Sequence, residues 1–167
     1  MARAAAEAPI RRARPADSAA LTRISFASKR HWGYPEAYFA VWREELTVGP
    51  EYIRANPVFL AERDGVPVAY YSLVLGAPPF AAGDVRMPAG DWLEHMFVGP
   101  DCIGRGVGRR LARHLARHCQ ELGVRRLMLL ADPHASGFYR KCGAVHVKDV
   151  PSNIPGRKVA YFEWDLA

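Results

Sequence analysis

The most informative stretch of this sequence is WLEHMFVGPDCIGRGVGRRL, which runs from Trp92 to Leu111. Its first seven residues are apolar enough for a buried strand, and its last residues begin a helical repeat of apolar positions. Between them lies a loop with glycines at Gly104, Gly106 and Gly108. Glycines let an anion approach the backbone, and the start of the following helix adds partial positive charge. The segment therefore predicts a phosphate-binding loop between a strand and a helix.

Two well-known phosphate loops fit this segment poorly. A P-loop ends in Gly-Lys-Ser/Thr, whereas Arg109 and Arg110 stand at that point here. A dinucleotide-binding loop needs the spacing GxGxxG, and this loop has GxGxG. The third alternative is a loop that binds a pyrophosphate group, with the arginines at and after Arg105 supplying full positive charges around it.

Length and composition set the class of protein. The chain has 167 residues, half of them apolar, which fits one globular domain. We expect a flexible N-terminus over residues 1–8 and a single domain over residues 9–167. No apolar run is long enough to span a membrane, and the N-terminus lacks the pattern of a signal peptide. The three cysteines form no CxxC pair, so a reduced, cytoplasmic location is expected. The net charge of +6 indicates an anionic partner.

Apolar runs and turn residues predict alternating strands and helices. Asp64-Gly65 between two apolar runs indicates a hairpin, Asp17 can cap the first helix, and Gly123 is suited to end a helix. Residues 76–90 are rich in Pro, Gly and Ala and predict a loop. The predicted strands cover 9–14, 57–63, 66–75, 91–98, 125–131, 144–150 and 158–166, and the predicted helices cover 17–31, 35–46, 106–122 and 132–143. The order β-α-α-β-β-β-α-β-α-β-β predicts one mixed sheet with helices on both faces.

Two motifs of the chain resemble the GNAT superfamily of acetyl-CoA-dependent N-acetyltransferases. The loop pattern of that family is Arg/Gln-x-x-Gly-x-Gly/Ala, which residues 103–108 match at both glycines but not at Ile103. Its second signature, Asn-x-x-Ala-x-x-x-Tyr followed by Gly and an aromatic residue, is similar to residues 132–144, with Asp132 for the Asn and Ala144 for the aromatic. The resemblance implies a GNAT-like α/β (mixed α+β) fold whose single mixed sheet has about seven, mostly antiparallel strands.

The resemblance also implies how acetyl-CoA, as the co-substrate, is bound. A V-shaped split is expected between the strands at 91–98 and 125–131. There the pantetheine arm would pair with the backbone from Met96 to Val98, like an added strand. The N–H near Val98 would polarise the thioester carbonyl and hold the oxyanion. The expected cofactor-binding residues are Met96, Phe97, Val98, Gly104, Arg105, Gly106, Val107, Gly108, Arg109, Arg110, Asp132 and Phe138, and no metal is expected.

Acetyl transfer to an amine needs a base for the ammonium form of the acceptor and an acid for the departing thiolate. Tyr139 stands where the family has its acid, and the ordinary pKa of a tyrosine suits a thiolate. For the base we favour Glu94, because strand alternation would put it on the same side as Met96. His95 has the opposite parity and is predicted to be an inner, hydrogen-bonded histidine. Glu94, His95 and a water chain all stay open as the base.

The acceptor would be a small-molecule amine or a peptide. The segment from Ser28 to Pro35 lies between the first two helices, where the family has part of its acceptor pocket. His31, Trp32 and Tyr34 are therefore candidate substrate-binding residues. The alternative is that Gly33 merely ends a helix, with Trp32 and Tyr34 in the core. A homodimer is expected from the family.

Two other functions remain as alternatives. One is a catalytically degenerate module that binds acyl-CoA without turnover, since Ile103 and Asp132 depart from the family pattern. The other is a basic nucleic-acid-binding domain. That function would need a basic stripe with aromatic or helix-in-groove contacts, and no such motif occurs. We expect neither nucleic acid nor a membrane as a partner.

Overall fold

A seven-stranded sheet runs through the part of the chain that the structure, a computed structural model, describes: residues 9–167. The predicted flexible segment 1–8 lies outside the described residues. The strands lie in the order β1-β2-β3-β6-β7-β9-β8. All neighbours are antiparallel except β6 and β7, which are parallel. Their bounds are Ile10–Arg12 (β1), Val58–Arg63 (β2), Val66–Ala77 (β3), Gly90–Val98 (β6), Arg126–Ala131 (β7), Val145–Pro151 (β8) and Lys158–Asp165 (β9). The predicted mixed, mostly antiparallel sheet is confirmed.

Helices cover both faces of this sheet, as predicted. They are Ser18–His31 (α1), Glu36–Leu46 (α2), Pro50–Ala55 (α3), Val107–Glu121 (α4) and Ser136–Lys141 (α5). The neighbouring residues Tyr70 and Tyr71 on β3 show the two faces, because successive strand residues point to opposite sides. Tyr70 belongs to the core formed with α1, which includes Leu21. Tyr71 belongs to the core formed with α4, which includes Leu111. The short helix α3 was not predicted.

The turn residues behave as their chemistry suggests in two places. Asp64 and Gly65 both have positive φ, 51° and 76°, and join β2 to β3 in a two-residue turn. Gly123 follows α4 with a φ of 74°. Asp17, by contrast, occupies the N-cap position of α1 without capping it with its side chain. Its carboxylate instead accepts the Arg14 N–H and pairs with Arg11.

The prediction of a loop over residues 76–90 is wrong. The segment contains a two-stranded antiparallel hairpin of β4 (Phe80–Ala82) and β5 (Val85–Met87). Small and turn-forming residues hide this hairpin in the sequence. It is stabilised by burial, since Ala82 and Met87 pack into a third apolar cluster with Trp92. No helix among residues 9–167 is long and apolar enough to cross a membrane.

Candidate active site

The strands β6 and β7 separate from each other and open a cavity in the sheet. Their ladder is confined to a single residue pair within the described chain, Trp92 with Met128. Beyond that pair the strands diverge, and a cavity of about 510 Å³ lies between residues 93–98 of β6 and residues 129–132 at the end of β7. The V-shaped split expected between these strands is therefore present.

The free edge of β6 presents backbone groups to this cavity. The Gly99 amide donates to the Val68 carbonyl on the β3 side, at 2.8 Å. Backbone groups alternate in direction along an antiparallel pair, so the amides of Val98 and Met96 point to the other side, toward β7. Because β7 has diverged there, these two amides face the cavity rather than a partner strand. An extended ligand could pair with them as an added strand does.

The glycine loop closes one end of the cavity. Gly104 and Gly106 have φ values of 76° and 82°, a region that side chains other than glycine rarely adopt. Gly106 is the N-cap of α4, so the first amides of that helix are directed toward the loop. The amide of Arg105, however, donates to the Cys102 carbonyl within the loop, at 3.3 Å. The Arg105 amide is therefore not available to an anion in this loop.

Several cofactor-binding candidates line the cavity and several do not. Those that line it are Met96, Phe97, Val98, Gly104, Gly106, Gly108, Arg109, Asp132 and Phe138. Arg105 and Arg110 are not among the lining residues, and the side chain of Val107 is buried in the core under α4. Lining residues that were not predicted to bind the cofactor include Ile103, Leu129 and Lys141.

Tyr139 on α5 reaches the cavity from its core side. The residue is 7% exposed, and its ring packs near Phe162. Its hydroxyl has no hydrogen-bond partner among the described residues. Every fully buried polar side-chain atom among residues 9–167 has a hydrogen-bond partner. Because the Tyr139 hydroxyl has none, it must be accessible from the cavity that Tyr139 lines. Burial raises the pKa of Tyr139 above its ordinary value, so the phenol is protonated at neutral pH.

Glu94 occupies a β-bulge, which the sequence analysis did not predict. Ser72 on β3 pairs with His95 and Leu73 pairs with Leu93, so the register skips Glu94. As a result Leu93 and Met96, three residues apart, both pack against the core under α4. The prediction that Glu94 shares a side with Met96 by simple alternation is wrong. Glu94 is exposed and lines the cavity.

The bulge turns Glu94 toward the face that α1, α2 and α3 cover. Its negative charge contributes to a raised pKa of Glu45 at the end of α2, although burial of Glu45 is the larger cause. The same charge acts on Tyr52 of α3, whose pKa is raised mainly by burial. Glu94 therefore lies between the cavity and the side of the molecule that carries the segment from Ser28 to Pro35.

His95 is an inner, hydrogen-bonded histidine, as predicted. Its Nε2 lies 2.7 Å from the carbonyl oxygen of Glu45, which can only accept, so Nε2 carries the proton. Its Nδ1 lies 2.7 Å from Ser72 Oγ and accepts from that hydroxyl. Burial lowers the pKa of His95 and keeps the ring neutral. With both nitrogens engaged, His95 has no free position from which to accept a proton from a ligand.

Asp132 is the centre of a polar cluster at the far end of the cavity. Its Oδ2 accepts from Lys29 Nζ at 2.7 Å and from an Arg157 guanidinium nitrogen at 3.0 Å. The Tyr34 hydroxyl and the His134 amide also donate to this carboxylate. Burial opposes the ionisation of Asp132, but these donors outweigh it and hold its pKa below the usual range. Three of these partners, Lys29, Tyr34 and Arg157, are 103, 98 and 25 residues away from Asp132 along the chain, so this cluster was not predicted.

The segment from Ser28 to Pro35 reaches the cavity with one face of α1. Ser28, Lys29 and Trp32 line the cavity, and the Trp32 ring stacks on His134 with centroids 4.5 Å apart. His31 and Tyr34 do not line it. Tyr34 packs edge-on against Trp42, as the alternative of a core position suggested. Sequence alone could not separate these residues, because the helix continues through residue 31 and its face decides which side chains turn inward.

Other sites that could have carried chemistry are not present in this part of the chain. No group of three or more His, Cys, Asp or Glu side chains among residues 9–167 is suited to hold a metal ion. Cys102 and Cys119 are buried, and Cys142 is half-buried. The cavity between β6 and β7 is therefore the candidate active site.

Comparison with known proteins gives the same picture of the fold. A GCN5-related N-acetyltransferase from Rhodopseudomonas palustris has a TM-score of 0.73 and 21% identity, with 99% of both chains covered. PaiA N-acetyltransferase from Thermoplasma acidophilum, solved with coenzyme A, has a TM-score of 0.70 and 17% identity over 94% of this chain and 98% of that one. The ribosomal-protein-S18-alanine N-acetyltransferase from Escherichia coli has a TM-score of 0.66 and 17% identity over 95% of this chain and 94% of its own.

Sequence comparison identifies the family. No curated protein matches the chain. The family model described as the acetyltransferase (GNAT) family matches residues 19–144, which is most of the chain and includes the glycine loop, the split between β6 and β7, and Tyr139. The protein therefore belongs to the GNAT family of acetyltransferases.

Proposed function

We propose that this protein binds acetyl-CoA in the cavity between β6 and β7 and transfers its acetyl group directly to a primary amine, with both substrates bound together. The observation that carries this proposal is the pair of Met96 and Val98 amides on the free edge of β6, next to the glycine loop. Acetyl-CoA, when bound, supplies the activated acetyl thioester. Side chains and backbone groups of this chain bind the coenzyme, polarise the thioester carbonyl and move the protons.

The residues present fit a coenzyme A molecule. A Cβ at Gly108 would lie 3.4 Å from the Phe138 ring, which is an ordinary van der Waals contact, so glycine or alanine fits there as the family pattern allows. The start of α4 and the exposed Arg109 guanidinium offer positive charge to a pyrophosphate. The free edge of β6 offers hydrogen bonds to an extended amide-containing arm. Ile103 cannot supply the hydrogen bond of the usual Arg or Gln, but the glycine backbone does not depend on it.

The Val98 amide is the group we assign to the thioester carbonyl. A backbone N–H held by a strand loses little freedom when it donates to an oxygen that gains negative charge. Tyr139 is assigned as the acid, because its protonated hydroxyl opens onto the same cavity without another partner. It would give its proton to the sulfur as the thiolate leaves.

Glu94 is assigned as the base. The hydrogen bonds of the neighbouring His95 support Glu94 rather than His95 in this role. The ring nitrogens of His95 are both used in hydrogen bonds, whereas Glu94 is exposed on the bulge beside the acceptor side of the cavity. A carboxylate in this position can take up the proton that the amine must lose before attack. Trp32, Ser28 and Lys29 line the part of the cavity that we assign to the acceptor.

The proposal is tested first by thermal unfolding with acetyl-CoA, CoA, ATP, NAD or buffer alone. A ligand at 100 times its Kd adds about 2.7 kcal/mol to stability, which is several degrees for a domain of this size. We expect a rise with acetyl-CoA and CoA only, followed by thiol release when amines are added. Stabilisation without thiol release for any amine would favour the degenerate binding module. No stabilisation by either coenzyme would contradict the proposal.

A further inference from the structure

A serine hydroxyl at the acceptor end of the cavity has no hydrogen-bond partner among the described residues. Ser28 on α1 is 8% exposed and lines the cavity. No hydrogen bond joins its hydroxyl to another described residue, although the neighbouring buried serine on the same helix, Ser25, bonds both the Leu21 carbonyl and the Tyr70 hydroxyl. Every fully buried polar side-chain atom among residues 9–167 has a hydrogen-bond partner. The Ser28 hydroxyl has none, so it faces the open cavity.

The adjacent residue brings a positive charge to the same place. The Lys29 side chain is 14% exposed, lines the cavity and gives one hydrogen bond, to Asp132 Oδ2. An ammonium group has three N–H donors, so two remain for other acceptors. Its charge also lies over the Trp42 ring, 4.6 Å from the centroid, which holds the side chain in position.

Two cations and two carboxylates are grouped around the acceptor end of the cavity. Lys29 and Arg157 share the single carboxylate of Asp132. Glu45 also acts electrostatically on Lys29 from the end of α2, and it accepts a hydrogen bond from Asn153. Glu94 lines the same cavity from β6. The acceptor end thus offers a cation and a hydroxyl donor at one side and an exposed carboxylate at another.

We propose that Ser28 and Lys29 bind the carboxylate of an amino-acid acceptor whose amine faces Glu94. This inference rests on the proposed function, because it concerns the acceptor of the same acetyl transfer. The Ser28 hydroxyl and one Lys29 N–H donate to the two carboxylate oxygens. The substrate ammonium gives one proton to Glu94, and its nitrogen forms the new bond to the acetyl carbon as the carbon–sulfur bond breaks. The departing thiolate takes the proton of Tyr139, and the second proton that the nitrogen loses on becoming an amide restores the Tyr139 hydroxyl.

The test compares each of the common α-amino acids with its own α-amide, in the presence of acetyl-CoA, by the rate of thiol release. The two members of a pair differ in the carboxylate alone. The amide has the less basic amine, so amine ionisation favours the amide and cannot explain a preference for the acid. We expect at least one amino acid to be acetylated with a kcat/KM about tenfold or more above that of its amide.

Two variants locate the preference at the proposed residues. Ser28→Ala and Lys29→Met are each expected to reduce kcat/KM for the acid by about tenfold or more relative to that for the amide. Lys148→Met, which removes an exposed lysine on β8, is the control and should change neither. Thermal unfolding with and without acetyl-CoA shows that each variant is folded and still binds the coenzyme.

Each other outcome overturns the inference in a recognisable way. If acetyl-CoA stabilises the protein but amides are acetylated as well as acids, or neither is acetylated, the carboxylate subsite is wrong while coenzyme binding stands. The same holds if the Ser28→Ala and Lys29→Met variants lower both rates equally. If acetyl-CoA does not stabilise the wild-type protein, the proposed function itself fails and the inference fails with it.

Discussion

Lys29 Nζ lies 2.7 Å from Asp132 Oδ2, which joins the end of the first helix to the end of strand β7 across the mouth of the cavity. Both side chains are 14% exposed. Removing one charge of such a pair leaves the other without its counterion, and here Arg157 would be affected as well. This contact therefore matters for stability and for the shape of the acceptor end.

Asp132→Asn is expected to lower the free energy of unfolding by roughly 2–4 kcal/mol at neutral pH. The folded protein holds the pKa of Asp132 below its unfolded value of about 3.9. The stabilisation is therefore fully present above about pH 4 and is lost as the pH falls through the folded pKa. Urea unfolding of both proteins between pH 7 and pH 2 measures it. A difference that stays constant down to pH 2 would contradict the role of the charge.

Tyr139→Phe is expected to reduce turnover by about 10²–10⁴-fold while the affinity for acetyl-CoA stays nearly unchanged. The substitution removes one hydroxyl that has no protein partner, so the fold should tolerate it. Tyr161→Phe is the matched control, since Tyr161 is also buried but its hydroxyl donates to Glu163 outside the cavity. Steady-state kinetics and coenzyme titration separate the two effects. Unchanged turnover in Tyr139→Phe would remove Tyr139 from the acid role.

Glu94→Gln is expected to reduce kcat by about 10²–10⁴-fold near pH 7, because the acceptor amine is then mostly ammonium. The deficit should shrink as the pH rises, since the amine loses its proton to solvent without help. Glu121→Gln, at the exposed end of α4, is the control. A pH–rate profile of the three proteins gives the answer. A deficit that is equal at pH 7 and pH 10 would argue against general-base catalysis by Glu94.

Gly106→Ala and Gly123→Ala form a matched pair. Both glycines have positive φ, 82° and 74°, and an added Cβ meets no atom within 4 Å at either position. Each substitution should cost about 1–2 kcal/mol of backbone strain. Only Gly106 lines the cavity, so only Gly106→Ala should weaken binding of CoA. Chemical denaturation and isothermal titration measure the two quantities. Equal loss of CoA affinity in both variants would place the anion site elsewhere.

Cys119 is expected to resist alkylation in the folded protein. Burial in the core under α4 raises the pKa of its thiol to about 12, so almost no thiolate exists at pH 8. Iodoacetamide labelling followed by peptide mass spectrometry should find Cys119 unmodified until denaturant is added. The half-buried Cys142 is the internal comparison and should react first of the two. Labelling of Cys119 at the same rate as Cys142 would contradict the burial.

Local signals predicted most of the sheet and its helices. Asp64-Gly65, the glycine after α4 and the apolar runs are short-range features whose conformation depends on neighbouring residues. The hairpin of β4 and β5 was missed because its stability depends on contacts with residues outside the hairpin. Its small residues have little strand preference of their own, and burial of Ala82 and Met87 against Trp92 stabilises it.

For this protein, the sequence by itself determined the seven strands of the main sheet, the helices α1, α2, α4 and α5, the glycine loop and its family, because these depend on residue types at fixed spacing. The tertiary structure alone decided which side chains meet at the site. A one-residue bulge in β6 turns Glu94 to the acceptor side, and the packing of α1 on the sheet brings Ser28 and Lys29 to the cavity. The contact of Lys29 with Asp132 spans 103 residues, a separation that only folding can close.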